Sequence, residues 1–324
     1  MKIEKLPSGK YRVRKMVHRE TITLTFDYKP SQAEVLRLMS DQIETIPSKG
    51  SFLNCAESYI SSKTNVISPS TVAGYTSILN TVIPDNFKTK DINQITQQDI
   101  QLVINDYAKN HSPKSVRNVH GFISAVFRQF RPNMTLYTTL PQKRENEHYT
   151  PSEDDIRRIL DASKNDKVYH VPFQLGIMGL RRSEICALTL DDLDGNTLTI
   201  NKALVQGVNN EWHVKPTKTA AGTRKIYVPD VLVEEIRQNG RIFDGYPNKM
   251  YVALKRYQDR LGIPHFRFHD LRHFFCSYSH AHGISDADIM ASGGWASDFT
   301  MKSVYRHEMN AQKAQKKIFN SLIQ

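Results

Sequence analysis

Cysteine is scarce in this sequence. The three in 324 residues, Cys55, Cys186 and Cys276, are widely spaced, odd in number and set in apolar segments. That excludes a disulfide framework and a thiolate zinc site, and buried free thiols are the expectation. Long apolar runs are missing as well: no stretch approaches a membrane span, and the opening MKIEKLPSGKYR lacks the apolar centre of a signal peptide. A cytoplasmic protein is expected. Neither a P-loop nor a clustered acidic metal motif is present, so the sequence offers no nucleotide or metal chemistry. Acid is also in short supply, with 33 Asp and Glu against 44 Lys and Arg and a formal net charge of +11. A sequence pI of about 9.4 favours an anionic polymer as partner, either nucleic acid or an acidic membrane surface.

A chain of this length suggests two or three domains. GKYRVRKMVHRETITLTF alternates apolar and polar residues between the turn signals Pro7-Ser8-Gly9 and Lys29-Pro30-Ser31, and QAEVLRLMSDQIETI follows with helical spacing. Residues 1–46 are therefore expected to form a three-stranded sheet plus a helix. Lys10, Arg12, Arg14 and Lys15 crowd that sheet, where they could meet phosphates or enter a groove, although charges on an open sheet face are ordinary. Pro47 to Ser51 reads as a linker. Four amphipathic segments then predict a compact helical bundle over residues 51–130, with Thr96 and Asp99 placed for a capping box. Ser112-Pro113 opens its last helix, and Lys114 and Arg117 in the first turn are either phosphate holders or solvated helix ends.

Residues 131–148 read as a second linker. Residues 149–324 form the last domain, expected to start on a capping box of Thr150 and Glu153 with Pro151 in the first helical position. YHVPFQLGIMGL, RRSE and ICALTLDDLD predict a buried helix, a turn and a second helix. Glu184 is spaced to pin Arg181, and at most one of Arg181 and Arg182 should face a common site. Strands are expected around Val208-Asn209-Asn210, in a small sheet carrying Lys215, Lys218, Arg224 and Lys225. Helices follow over residues 229–240 and 249–261. In FRFHDLRHFFCS, His269 shares a helical face with Arg272 and His273. Gly293-Gly294-Trp295 marks a break. Tyr305, between Lys302 and Arg306, is a candidate nucleophile, since neighbouring positive charge activates a phenol. A basic surface helix with a packed tyrosine would carry the same residues.

GLRRSE, PTKT, HDLRH, GGW and SVYRH, in this order and at these separations, resemble the catalytic domain of the tyrosine recombinases, the phage-integrase family. The domain order resembles it too. The implied fold is multidomain, mainly α with small β-sheets. It comprises an N-terminal sheet-plus-helix arm-binding module, a helical, SAM-like core-binding domain and a mixed α+β catalytic domain. The resemblance implies that Tyr305 attacks a DNA phosphate, making a 3′-phosphotyrosyl link and freeing a 5′-hydroxyl. It implies that Arg181 and Arg272 hold the nonbridging oxygens, that Lys218 protonates the leaving oxygen and that His269 moves the Tyr305 proton. Lys215 is the neighbouring alternative to Lys218. Glu184 matches a supporting acidic position. Trp295 stands where many members have histidine, and it is one residue farther from Tyr305 than usual; indole donates a hydrogen bond but relays no proton.

No cofactor and no metal are implied, because the phosphotyrosine conserves the energy of the broken bond. The implied partners are double-stranded DNA at core-type and arm-type sites, three further copies of the chain in a tetramer, and an excisionase or DNA-bending host factor. A membrane is not among them, and the protein would be nucleoid-associated. The tail NAQKAQKKIFNSLIQ, with Ile318, Phe319 and Leu322 on one side, is expected to pack on a neighbouring protomer, packing on its own domain being the alternative. Integration and excision of a prophage or mobile element is the function expected. A type IB topoisomerase-like enzyme and a regulator without catalysis on the same scaffold are the alternatives.

Overall fold

Period-two alternation at the N-terminus makes a three-stranded antiparallel sheet, β1 (Ile3–Lys5), β2 (Tyr11–Val17) and β3 (Glu20–Phe26), in that order. The computed structural model describes residues 3–17, 20–44, 50–143, 149–217 and 219–305. Val13, Ile22 and Phe26 form a small core with Val35 and Met39 of α1 (Gln32–Glu44). Arg12 and Arg14, one step out of phase with Val13, pair in register with Thr25 and Thr23, so they line the face turned away from the helix.

The chain divides into two compact units, Met1–Glu145 with Gly207–Glu211, and Asn146–Gln206 with Trp212–Gln324. The first also holds the expected bundle: α2 (Phe52–Lys63), α3 (Pro69–Thr81), α4 (Asp85–Thr89), α5 (Gln97–Ala108) and α6 (Pro113–Phe130). Its centre is α6. Val116, Val119, Phe122, Ile123, Val126 and Phe127 recur three and four apart and are all buried, each contributing roughly 1.5–3 kcal/mol by leaving water. Thr96 and Asp99 form the anticipated capping box on α5, and Ser112 with Pro113 starts α6. The single turn of α4 is too short to show a period.

Within the two stretches read as linkers, residues 50–51 and 134–141 are held by specific contacts, while residues 47–49 and 144–148 lie outside the described residues. Ser51 is fully buried, accepts from the Asn54 amide to cap α2 and bridges to Asp91. Residues 134–141 lie along the bundle without forming a helix or strand. Met134, Leu136 and Leu140 pack on its core, and two glutamines one helical turn apart on α5 serve the backbone. Gln97 donates to the Thr135 carbonyl and accepts from the Tyr137 amide, while Gln101 does both with Thr139. Polar, proline-containing segments look like linkers because they lack a period; side-chain amides satisfy this one instead.

The second unit opens with α7 (Glu153–Ser163), α8 (His170–Ile177) and α9 (Arg182–Ile185). The cap of α7 is Ser152 paired with Asp155, not Thr150 with Glu153. The two boxes overlap in sequence, and Tyr149 selects the later one by donating its hydroxyl to Asp155 at 2.5 Å. The second helix expected after Arg181 is a single turn, followed by a 3-10 turn over Leu190–Asp192. The small sheet is two. β4 (Leu193–Asp194), β5 (Thr197–Ile200) and β8 (Arg224–Tyr227) make one, and β6 (Lys202–Gln206) with β7 (Trp212–Pro216) makes the other. Then come α10 (Asp230–Asn239), α11 (Pro247–Leu261), α12 (Phe268–Ala281), α13 (Asp286–Gly293) and α14 (Asp298–Tyr305). The main core joins Phe173 and Leu175 of α8, Leu198 and Ile200 of β5, Leu254 of α11 and Phe268 and Leu271 of α12. A satellite core of Cys276, Ile289, Trp295 and Met301 ties α12, α13 and α14 together. None of the three cysteines is in a disulfide; Cys55 and Cys276 are buried and Cys186 partly so.

Candidate active site

A carboxylate at the third helical position sets the orientation of α12. Asp270 is buried and accepts from the Arg267 amide, Nε and Nη2. This anchors the turn carrying His269 and Arg272. Burial works against the Asp270 charge, yet the Arg267 hydrogen bonds and charge outweigh it and hold the carboxyl below its ordinary value.

Arg272 points inward and is 1 % exposed. Its Nη1 donates to the carbonyls of Gly179 and Gly293, and the guanidinium lies 3.7 Å from the centre of the Trp295 ring, which covers its face. Its Nη2 is buried with no hydrogen-bond partner among the described residues. Burial first, and then the charge of Arg181, push its pKa down to about 9, so it remains a cation at neutral pH. Trp295 is held in turn by two glycines. A Cβ on Gly293 would stand 1.8 Å from the indole ring, and Gly294 has φ +72°, a conformation that suits glycine.

Arg181 precedes α9 and is partly exposed. Its Nη1 donates to Glu184 Oε1 at 2.6 Å, its amide to Oε2 at 2.9 Å, and its Nη2 to the Gly294 carbonyl at 3.1 Å. Arg182 next to it is exposed. Glu184 is 2 % exposed and also accepts from Arg224 Nη2 at 3.0 Å. Burial would raise its pKa, but the Arg224 charge and hydrogen bond, with help from Arg181, bring it below the ordinary value. Arg224 belongs to the site and was not singled out from sequence. The signal was there: it shares the inward face of β8 with Ile226, an unusual register for an arginine.

His269 lies in the field of these cations, with His273 edge-on at 4.9 Å. Burial, then His273, then Arg272 push its pKa down to about 4. At pH 7 the imidazole is therefore neutral and able to accept a proton. Tyr305 is the last described residue of α14, one turn beyond Met301 of the Trp295 cluster. Its side chain, Lys218 and residues 306–324 with the amphipathic tail lie outside the description. Lys218 is flanked by Thr217 and by the turn Ala220–Gly222, where Gly222 packs against Thr217. Lys215 sits on β7.

These residues form an electropositive cluster around one unsatisfied arginine donor. The phage integrase family profile matches residues 151–312, half of the chain and every site residue named above. The chain belongs to the phage integrase family. It is therefore a tyrosine recombinase, an enzyme of site-specific DNA strand cleavage and transfer. A second profile, the phage integrase N-terminal SAM-like domain, matches residues 52–108. The tyrosine recombinase XerA of Saccharolobus solfataricus is 26 % identical over 250 residues, 72 % of this chain and 82 % of that protein. Among solved structures, the Tn1549 transposon integrase in complex with transposon right end DNA aligns with TM-score 0.66. It has 17 % identity and covers 83 % of this chain and 99 % of that one. A lambda integrase tetramer bound to a Holliday junction aligns with TM-score 0.59 and 16 % identity, over 93 % of this chain and 94 % of that one. The integrase fold, mainly helical with small antiparallel sheets, is thus shared.

The DNA-facing residues expected outside this cluster have different surroundings. Lys10 pairs with Asp27 and Arg12 with Glu4, while Arg14 and Lys15 are exposed. Lys114 is exposed, whereas Arg117 donates to the Pro141 carbonyl at 2.8 Å. Among the described residues no three His, Cys, Asp or Glu converge as a metal site, and no helix is long and apolar enough to cross a membrane.

Proposed function

We propose that this integrase cleaves and rejoins DNA through a 3′-phosphotyrosyl intermediate, in the integration and excision of a phage or mobile element. The observation that carries it is the buried Arg272 donor without an acceptor, beside Arg181. Leaving such a donor unmade costs roughly 1–3 kcal/mol, and a phosphate oxygen admitted to the cluster removes that cost. In the reaction, the Tyr305 oxygen attacks phosphorus as His269 accepts its proton. The bond to the 5′-oxygen breaks, and that oxygen takes a proton from Lys218, with Lys215 as the alternative donor. Arg181 and Arg272 hold the charge that grows on the nonbridging oxygens, and such donors are worth about 100- to 1000-fold in rate. Glu184 orients Arg181, and Trp295 orients Arg272.

Residues 149–324 would supply this chemistry. Residues 51–130 would hold core-type sites, with Lys114 and Arg117 at the start of α6, and residues 1–46 would hold arm-type sites through the Arg12 and Arg14 face and the adjacent Lys10 and Lys15. Four copies would act together, as in the lambda integrase tetramer on a Holliday junction, with an excisionase or a DNA-bending factor setting direction. The transposon-end complex of the Tn1549 integrase supports the mobile-element role. Capture of source genomic DNA by wild type and by Tyr305→Phe tests the reading. Covalent fragments clustered at one locus and present only with wild type are expected; covalent DNA from both proteins would move the nucleophile elsewhere.

A further inference from the structure

Three arginines from three elements converge on consecutive carbonyls at the end of α13. Arg224 Nε donates to Ser292 at 2.7 Å, Arg272 Nη1 to Gly293, and Arg181 Nη2 to Gly294 at 3.1 Å. The last carbonyls of a helix have no partners within it and carry its negative end, so they are natural acceptors for guanidinium groups. Two of the three arginines are the phosphate-holding pair of the reading above. The third differs from them. Arg224 has 5 % side-chain exposure, and all its hydrogen bonds go to the protein: Ser292 O, Gly222 O at 3.1 Å and Glu184 Oε2 at 3.0 Å.

Each acceptor leads to a different part of the cluster. Glu184 is the carboxylate that fixes Arg181. Gly222 closes the turn that follows Lys218. Ser292 precedes the two glycines on which Trp295 and Arg272 rest. Without Arg224, Glu184 would be a buried anion hydrogen-bonded to a single arginine side chain, the partly exposed Arg181. Gly294 is also fitted closely around it, since a Cβ there would meet Arg224 Nη1 at 3.0 Å and the Ala221 carbonyl at 2.9 Å.

We infer that Arg224 is a positioning residue of the strand-cleavage reaction, holding Arg181, the turn after Lys218 and the α13 terminus in one geometry without touching DNA. The inference rests on the proposed phosphotyrosyl chemistry, and two measurements separate their fates. Single-turnover cleavage of a nicked suicide substrate is compared for wild type, Arg224→Ala and Arg224→Lys. The expected result is a loss of about 100-fold in Ala, comparable to removing one transition-state donor, with DNA affinity within about threefold. Lysine keeps the charge but cannot reach three acceptors as a planar fork, and it should recover only part of the rate. A 5′-bridging phosphorothiolate, whose leaving sulfur needs little protonation, should narrow the gap between wild type and both variants, which a merely structural role would not produce.

Equal rates in wild type and a folded Arg224→Lys, or a phosphorothiolate that leaves the gap unchanged, overturn the inference. The second measurement needs no cleavage. Inorganic sulfate should raise the Tm of wild type and raise that of Arg224→Lys distinctly less; equal shifts also overturn it. A wild type that cleaves nothing would defeat the phosphotyrosyl reading and the cleavage role with it, and the sulfate comparison would then decide whether Arg224 positions the anion-holding arginines.

Discussion

At the scale of single residues, the site keeps the Arg272 cation where burial disfavours charge. Arg272 keeps its proton, at a pKa of about 9, because an arginine starts from so high a value, a margin that lysine lacks. His269 is affected in the same direction with a different result, since a fall from 6.5 to about 4 makes the ring neutral throughout the physiological range. The sign follows from linkage. Between these values the unfolded chain binds a proton that the folded one does not, so the histidine's contribution to stability is complete above about 6.5 and is lost as pH falls toward 4. If His269 is the base for Tyr305, single-turnover cleavage should stay level from about pH 8 to about pH 5.5. A rate that halves near 6.5 would indicate an ordinary imidazole. Gly293→Ala is the steric counterpart. Its Cβ would occupy the indole position, and a destabilisation of about 1–3 kcal/mol should appear in thermal melts together with slower cleavage.

At the scale of elements, the ends of helices decide more than their lengths. The site draws on the start of α9, the first turns of α12 and the last carbonyls of α13. These places were partly legible: the spacing in HDLRH put His269 and Arg272 on neighbouring positions, and Glu184 was spaced to bind Arg181. Arg224 was placed on the small sheet but given no role at the site because a basic strand residue is usually solvated, and only its register with Ile226 marked it as inward. The α7 cap was misplaced by two residues because its competing boxes differ only through Tyr149, a contact outside the local pattern. The segment 134–141 shows the same limit. Replacing both Gln97 and Gln101 with alanine removes four hydrogen bonds to that backbone, each worth about 1 kcal/mol. Chymotrypsin should then cut at the exposed Tyr137 at least about tenfold faster. Unchanged cutting would assign the hold to Leu136 and Leu140.

At the scale of the whole molecule, a charge of +11 should make DNA binding fall steeply with salt, because each neutralised phosphate releases counterions. The N-terminal sheet presents arginines and threonines on the face away from α1. Under the proposed division of labour, deleting residues 1–46 should spare cleavage at isolated core sites and reduce integration at least about tenfold, by removing one of two linked binding modules. Equal integration by the shortened protein, measured on a plasmid with a full attachment site, would detach that module from the reaction. The tail is tested in the same way: removing residues 319–324 should impair synapse assembly on paired sites if it packs on a neighbouring copy.

Local order was determined by the sequence itself: the alternation that makes the N-terminal sheet, the apolar stripe of α6, the caps at Thr96 and Ser112 and the pairing of His269 with Arg272. Each depends on residues within one or two turns, where side-chain spacing dictates contact. Tertiary structure decided which cations share an environment. Arg224, Arg272 and Arg181 reach neighbouring carbonyls from 68, 21 and 113 residues away, and Glu184 joins two of them. No local period specifies such a meeting, because it depends on how the helix ends and the β8 strand pack around a shared core.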